Sequence, residues 1–326
     1  MLIQSIQNIG LCLILSVPIL AFGEESDNIN LESRLKSADS LFNNRQYDAS
    51  REIYLNIAES ADKAGNNSIL TEAYSMVART FLITAKKEEG RPWIAKASTI
   101  VKKSEPLGWS RYLGVRGRFE WQDGKLDTAE ATFKEMYDFC HDNSLFERAI
   151  DAAHMVAITA DNNGQIEWGL KGIREAEAGQ IDRWLGPLWN NLAATYEDSG
   201  RLKESLEAYL KARGYHYKFS DPKSKLIADW AVGHSYRING DLKNAEIFIN
   251  DSLLTRFGSL GETEFEGWTL KELGELALAK SKAETALAYL VRGAEKLKAV
   301  DMPNWDPDGF QKLQEQIDSL QTAKTK

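Results

Sequence analysis

Every 36 to 41 residues this chain returns to one arrangement of small and bulky side chains. A chain with such a period stacks short units on one another and does not build a single globular core. Its clearest copy runs Trp189, Leu192, Ala193, Tyr196, Gly200, Leu202, Ser205, Tyr209 and Ala212. Anchored on the first small residue, the copies fall at Ala38, Ala78, Gly117, Ala157, Ala193, Gly233 and Gly274. Twelve positions beyond each anchor lies a second small residue: Ser50, Gly90, Ala129, Gly169, Ser205, Ala245 and Ala286. Four further on lies a large apolar one: Tyr54, Ile94, Phe133, Ile173, Tyr209, Ile249 and Leu290. Steps of three and four mark helical faces. Gly124, Gly164, Gly200 and Gly240, each seven past an anchor, predict left-handed helix ends. Each unit therefore reads as a first helix, a tight turn and a second helix.

Two antiparallel helices approach closely only where a side chain nearly vanishes, so Gly, Ala and Ser recur at fixed offsets. Trp189, Tyr196, Tyr209 and Tyr236 are expected to fill the adjoining layer. The first and second copies depart from the pattern, with Arg45 and Ala85 at the turn and Lys87 at an expected apolar position. On these residues the chain, from about 31 to 300, resembles the tetratricopeptide repeat (TPR) family. The likeness is clearest from Pro187 to Tyr196 and from Val232 to Tyr236. It implies an all-α, right-handed α-solenoid of about seven helix-turn-helix repeats with long, roughly 40-residue units, similar to exported bacterial forms. It also implies that first helices line a concave groove.

The ends differ from the repeats. Ile9 to Phe22 is an apolar run broken only by Gly10, Ser16 and Pro18, and Ala21 and Gly23 place small residues before a cut at Glu24. Residues 1–23 are thus expected to be an export signal, although without Lys or Arg, and 24–30 a short linker. After cleavage no stable membrane span is expected, because the run is short. Residues 301–326 carry two Pro breaks, then Phe310, Leu313, Ile317 and Leu320 at helical spacing. They read as a linker, a capping helix over the open end and a tail from Thr322.

A net charge of −8 argues against a nucleic-acid partner, since phosphate binding needs a basic surface. Only Cys140 would remain in the mature chain, expected as a buried apolar residue on a second helix. No phosphate loop, nucleophile elbow or paired metal-ligand motif occurs, and no cofactor or metal is expected. Asp161-Asn162-Asn163-Gly164 reads as a repeat turn.

Binding is expected on the first helices, three before, one after and four after each anchor. That places Arg79, Arg118 and Trp121 in the second and third copies, and Arg111, a turn and a half before Arg118 on the same helix, joins them. His154, Asn190 and Glu197 follow, then Trp230, His234, Arg237 and Lys271, with Glu275 and Trp268 beside them. Aromatic and Arg residues on one surface have the composition of binding hot spots. Arg79, Arg111 and Arg118 would suit a carboxylate or acidic peptide, unless they pair with Glu72 or Glu120. The Lys and Asn clamp of chaperone-binding TPR proteins is not matched, as those places hold Asn190 and Ala194, or Trp230 and His234. The function expected is a non-enzymatic scaffold outside the cytoplasm that holds another protein or an extended peptide. A small-ligand or glycan receptor using Trp121, Trp230 and Trp268, and a cytoplasmic regulatory arm, are the alternatives.

Overall fold

The computed structural model describes residues 27–324. The signal-like segment 1–23 lies outside the described residues, as do 24–26 of the expected linker. By internal contacts the chain forms two compact units, divided between Leu188 and Trp189. The first contains α1 (Asp27–Asn43), α2 (Tyr47–Lys63), α3 (Asn67–Ile83), α4 (Lys87–Ile100), α5 (Pro106–Gln122), α6 (Leu126–Asp142), α7 (Phe146–Thr159) and α8 (Asn162–Ala178). A 3-10 turn at Asp182–Trp184 follows, and α9 (Leu185–Asp198) runs across the division. The second unit continues with α10 (Leu202–Phe219), α11 (Pro222–Ile238), α12 (Leu242–Phe248), α13 (Asp251–Ser259), α14 (Thr263–Ala279), α15 (Ala283–Ala299), α16 (Met302–Trp305) and α17 (Pro307–Lys324). There is no strand among the described residues, and no described helix is long and apolar enough to cross a membrane.

Each unit is a stack of antiparallel helix pairs, an α-solenoid fold. In the first, α1 to α8 pack successively and α3 lies against α5, first helix on first helix. In the second, α10 packs on α11, α14 on α15, and α17 on α15. The small-residue rule accounts for the closeness. A Cβ on Gly117 would lie 2.6 Å from Phe133, one on Gly233 would lie 2.6 Å from Ile249, and one on Gly274 would lie 2.6 Å from Leu290. These are the small and large positions sixteen residues apart that the period predicts. Cys140 is buried on α6, where burial pushes its thiol up to about 12.

The turns repeat as regularly as the packing. Six times a backbone N–H eight residues past the anchor donates to the carbonyl three past it, as in Lys86 to Phe81, Lys125 to Glu120 and Asp241 to Tyr236. The residue between is left-handed: Gly124, Gly200 and Gly240 as expected, but also Arg45, Ala85 and Ser281, with φ near 60°. A side chain there is strained by roughly 1 kcal/mol. Ala85→Gly is accordingly expected to stabilise the first unit by about 1 kcal/mol, read as a higher urea midpoint, whereas Gly124→Ala should lower it.

Two expectations are corrected. Gly164 is not left-handed. It lies in the first turn of α8, where Asp161 caps the helix by accepting from the Gly164 N–H at 2.9 Å. The N-cap elsewhere falls eight residues past the anchor, and eight before Asp161 is Ala153, which is fully buried while Ala157 is not. The fourth pair is therefore one helical turn out of the register read from Ala157. The second helix of the sixth pair is also not continuous: it breaks between α12 and α13. Asn250 accepts from the Leu253 N–H at 3.0 Å and donates to the Ile247 carbonyl at 2.9 Å, replacing the helical ladder with its own carboxamide.

The C-terminal expectation of a capping helix corresponds to α17, whose Leu313 and Ile317 are buried against α15 residues such as Leu290 and Leu297. The helix continues to Lys324, past the point where a tail was expected.

Candidate functional site

In the first unit the first helices carry a network of ions. Arg111 of α5 donates to Asp39 of α1 at 2.6 Å and to Glu72 of α3 at 3.2 Å. Arg148 of α7 also donates to Glu72, which is nearly fully buried. Arg118 of α5 donates to Asp151 of α7 at 2.7 Å and to the Gly114 carbonyl at 2.9 Å. Tyr54 reaches in from α2, its hydroxyl donating to Asp39 at 2.6 Å; burial and Asp39 push its proton loss far above the ordinary range.

Arg79 lies near Arg111 and Arg118, but in place of an open basic pocket the charges of Arg111 and Arg118 are used internally, Arg111 taking the Glu72 expected as the alternative partner. Burial alone would push Asp151 up, yet Arg118 and Arg79 hold its carboxyl down at about 2. Burial lowers His154 below the usual imidazole range, with Asp151 opposing and Arg118 assisting. Arg116, not Arg118, takes Glu120, at 2.9 Å. Trp121 is partly buried against the core around Leu113 and Phe133 and stands outside the ion network.

Arg79 differs from its neighbours. Its guanidinium carbon lies 5.0 Å from the centre of the Phe42 ring, and no carboxylate pairs with it among the described residues. Burial, with Arg118 and Arg111 nearby, lowers it to about 10 against the pull of Asp151, so it stays charged at neutral pH.

In the second unit a single imidazole is held on both sides. His234 of α11 bonds through Nδ1 to Glu272 of α14 at 2.9 Å and through Nε2 to Glu197 of α9 at 2.9 Å. Arg237, one turn later, donates twice to Glu272, at 2.6 and 3.0 Å. Burial opposes the positive ring, but Glu272 and Glu197 outweigh it and raise His234 to about 9. His234 is thus an imidazolium at neutral pH.

Trp230 stacks on His234 with ring centres 5.2 Å apart and meets Phe265 edge-on at 5.8 Å. Both Trp230 and Asn190 are buried, which leaves neither open as a platform. Trp268 packs near Trp305, with 6.4 Å between ring centres, and Lys271 pairs loosely with Glu275 at 3.9 Å.

Asp151, Glu272 and Arg148 lie outside the rows three before, one after and four after the anchors, whereas Asp39 stands one after Ala38 and was passed over. Asp151 and Glu272 share a signal: each lies two residues before its anchor once the fourth pair is registered on Ala153. A row two before the anchor, added to the other three, would have found both. In the same register His154 falls one past its anchor, in the row of Arg79, Arg118 and His234.

Residues 186–212, covering parts of α9 and α10, match the family model described as tetratricopeptide repeat. No curated protein sequence matches the chain. Among solved structures, a signal transduction ATPase with a tetratricopeptide repeat sensor from Pyrococcus horikoshii is similar at 14% identity and TM-score 0.68, over 84% of this chain. The chain spans only 43% of that protein's length. The apo form of RapI is similar at 11% identity and TM-score 0.68, covering 90% of this chain and 87% of its own. NprR in complex with its cognate peptide NprX is similar at 14% identity and TM-score 0.55, covering 88% and 84%. At such identities the likeness is one of fold.

Proposed function

We propose that this chain, an α-solenoid whose residues 186–212 match the tetratricopeptide repeat model, is a non-enzymatic scaffold holding another protein or an extended peptide against its first helices. One observation carries the reading. In both units the face formed by first helices is not apolar core but a set of ions locked across successive helix pairs: Arg118 to Asp151, and His234 to Glu272 and Glu197. Side chains held this way lose little freedom when a partner arrives, which favours binding. The peptide-bound state of NprR, similar in fold, supports the same use of this architecture.

The glycan-receptor alternative loses its central element, because Trp230 is covered by His234 and Phe265. The signal-like residues 1–23 place the scaffold outside the cytoplasm in this proposal, which N-terminal sequencing of the mature chain tests.

Affinity capture from an envelope extract, followed by crosslinking, is expected to yield a specific partner. Arg118 pairs with Asp151 and Trp121 packs on the core, so the double substitution Arg118→Ala and Trp121→Ala is read on protein whose circular dichroism matches wild type. There it should weaken capture by roughly tenfold or more, because truncating hot-spot residues of these types costs about 2 kcal/mol. Capture no better than background, or unchanged by the pair, counts against the groove.

A further inference from the structure

We propose that Arg79 is the anchor of the first unit's binding face and that it takes a single carboxylate of the partner. This rests on the scaffold reading and names the chemistry of one contact within it.

The first-helix network contains four guanidinium groups, Arg79, Arg111, Arg118 and Arg148, and three carboxylates, Asp39, Glu72 and Asp151. Arg111 shares Asp39 and Glu72, Arg148 takes Glu72, and Arg118 takes Asp151. Arg79 is left over, so four cations less three anions leaves one positive charge in an otherwise acidic protein. Neither nearby titratable group offsets it: Tyr54 keeps its proton, and His154 is pushed toward the neutral imidazole.

A half-buried cation without a counter-ion works against folding, and a methionine of similar length would pack there without it. Positions that break such a rule with no local gain are where function is expected. The guanidinium carbon lies 5.0 Å from the centre of the Phe42 ring, which takes none of its N–H bonds, and Arg79 is only partly buried, so its N–H groups remain for an acceptor. A planar carboxylate matches a guanidinium edge in two parallel hydrogen bonds. It also carries the one negative charge the network lacks, whereas a phosphate dianion would overshoot it.

The test uses the full mature chain and Arg Nε–Hε resonances at constant ionic strength. Sodium acetate is expected to shift the Arg79 resonance saturably; neutral acetamide should not. Two peptides separate the sources of the carboxylate: N-acetylated pentaalanine with a free C-terminus, and an amidated peptide with a central Glu. The one that moves Arg79 at lower concentration identifies the source.

Arg79→Met is expected to raise the first unit's urea midpoint without ligand, abolish the acetate response and weaken partner capture roughly tenfold or more. A lower midpoint for Arg79→Met, with no acetate or peptide response in the wild type, makes Arg79 a packing residue and overturns the proposal. A response to inorganic phosphate in preference to acetate also overturns it. Capture that Arg79→Met leaves unchanged defeats the anchor while the scaffold stands. An acetate response without any captured partner does the reverse: the site stands and the scaffold reading fails.

Discussion

Glu272→Ala is expected to destabilise the second unit by about 3–5 kcal/mol at neutral pH, because it removes the one anion shared by two buried cations. Glu272 accepts from His234 and twice from Arg237, and it is almost fully buried. Without it His234 can shed its proton, but Arg237 cannot. Glu272→Gln keeps the shape and loses the charge, so it should fall between wild type and alanine. Urea unfolding followed by circular dichroism measures the loss, and hydrogen exchange should show α11 and α14 opening first.

The same contact gives the second unit a pH dependence of definite sign. The folded pKa of His234, about 9, lies above its ordinary 6.5. Its contribution is therefore complete below about pH 6.5 and is lost as pH rises through about 9. The shift corresponds to about 3 kcal/mol as an upper figure. For Glu272, burial pushes upward, but His234 and Arg237 prevail and hold it well below its ordinary 4.5. Its contribution is present above about pH 4.5 and is lost as pH falls into the acid range. Stability is expected to be greatest between the two, and in Glu272→Gln the decline from pH 6.5 to 9 should largely vanish. A wild-type protein with flat stability over that interval would contradict the imidazolium assignment.

Gly117→Leu is expected to destabilise the first unit by about 3 kcal/mol, the upper part of the range for overpacking. Already the first atom of a side chain would lie 2.6 and 2.8 Å from two carbons of the Phe133 ring. Phe133 is fully buried and has no solvent to retreat into. Phe133→Leu in the same chain should recover part of the loss, since the two sites share one space. Gly214→Ala, where no atom lies within 4 Å of the new Cβ, is the control and should be neutral or slightly stabilising. Tryptophan fluorescence during urea unfolding separates the three variants. If Gly117→Leu behaves like Gly214→Ala, close helix approach is not what the small residues provide.

Much of the architecture was legible because its rules are local. Gly117 against Phe133, Gly233 against Ile249 and Gly274 against Leu290 are pairs at one fixed separation, visible without any knowledge of the fold. The break at Asn250 and the shifted fourth pair were not legible in the same way. Each turns on a side chain choosing between the helical ladder and its own hydrogen bonds, and Asn250 and Asp161 make that choice within the packed pair.

The sequence by itself determined the helix-turn-helix period, the close crossings and the first-helix rows on which Arg79, Arg118 and His234 stand, because these follow from helical geometry and side-chain size. Tertiary structure decided most of which charges meet, Arg111 with Glu72 being the pair the sequence had named. Asp39 and Arg111 are 72 residues apart and Glu72 and Arg148 are 76 apart, separations at which no pattern in the chain announces a pair. An ion's partner is set by where stacked helices bring it, and so is the absence of one, as at Arg79.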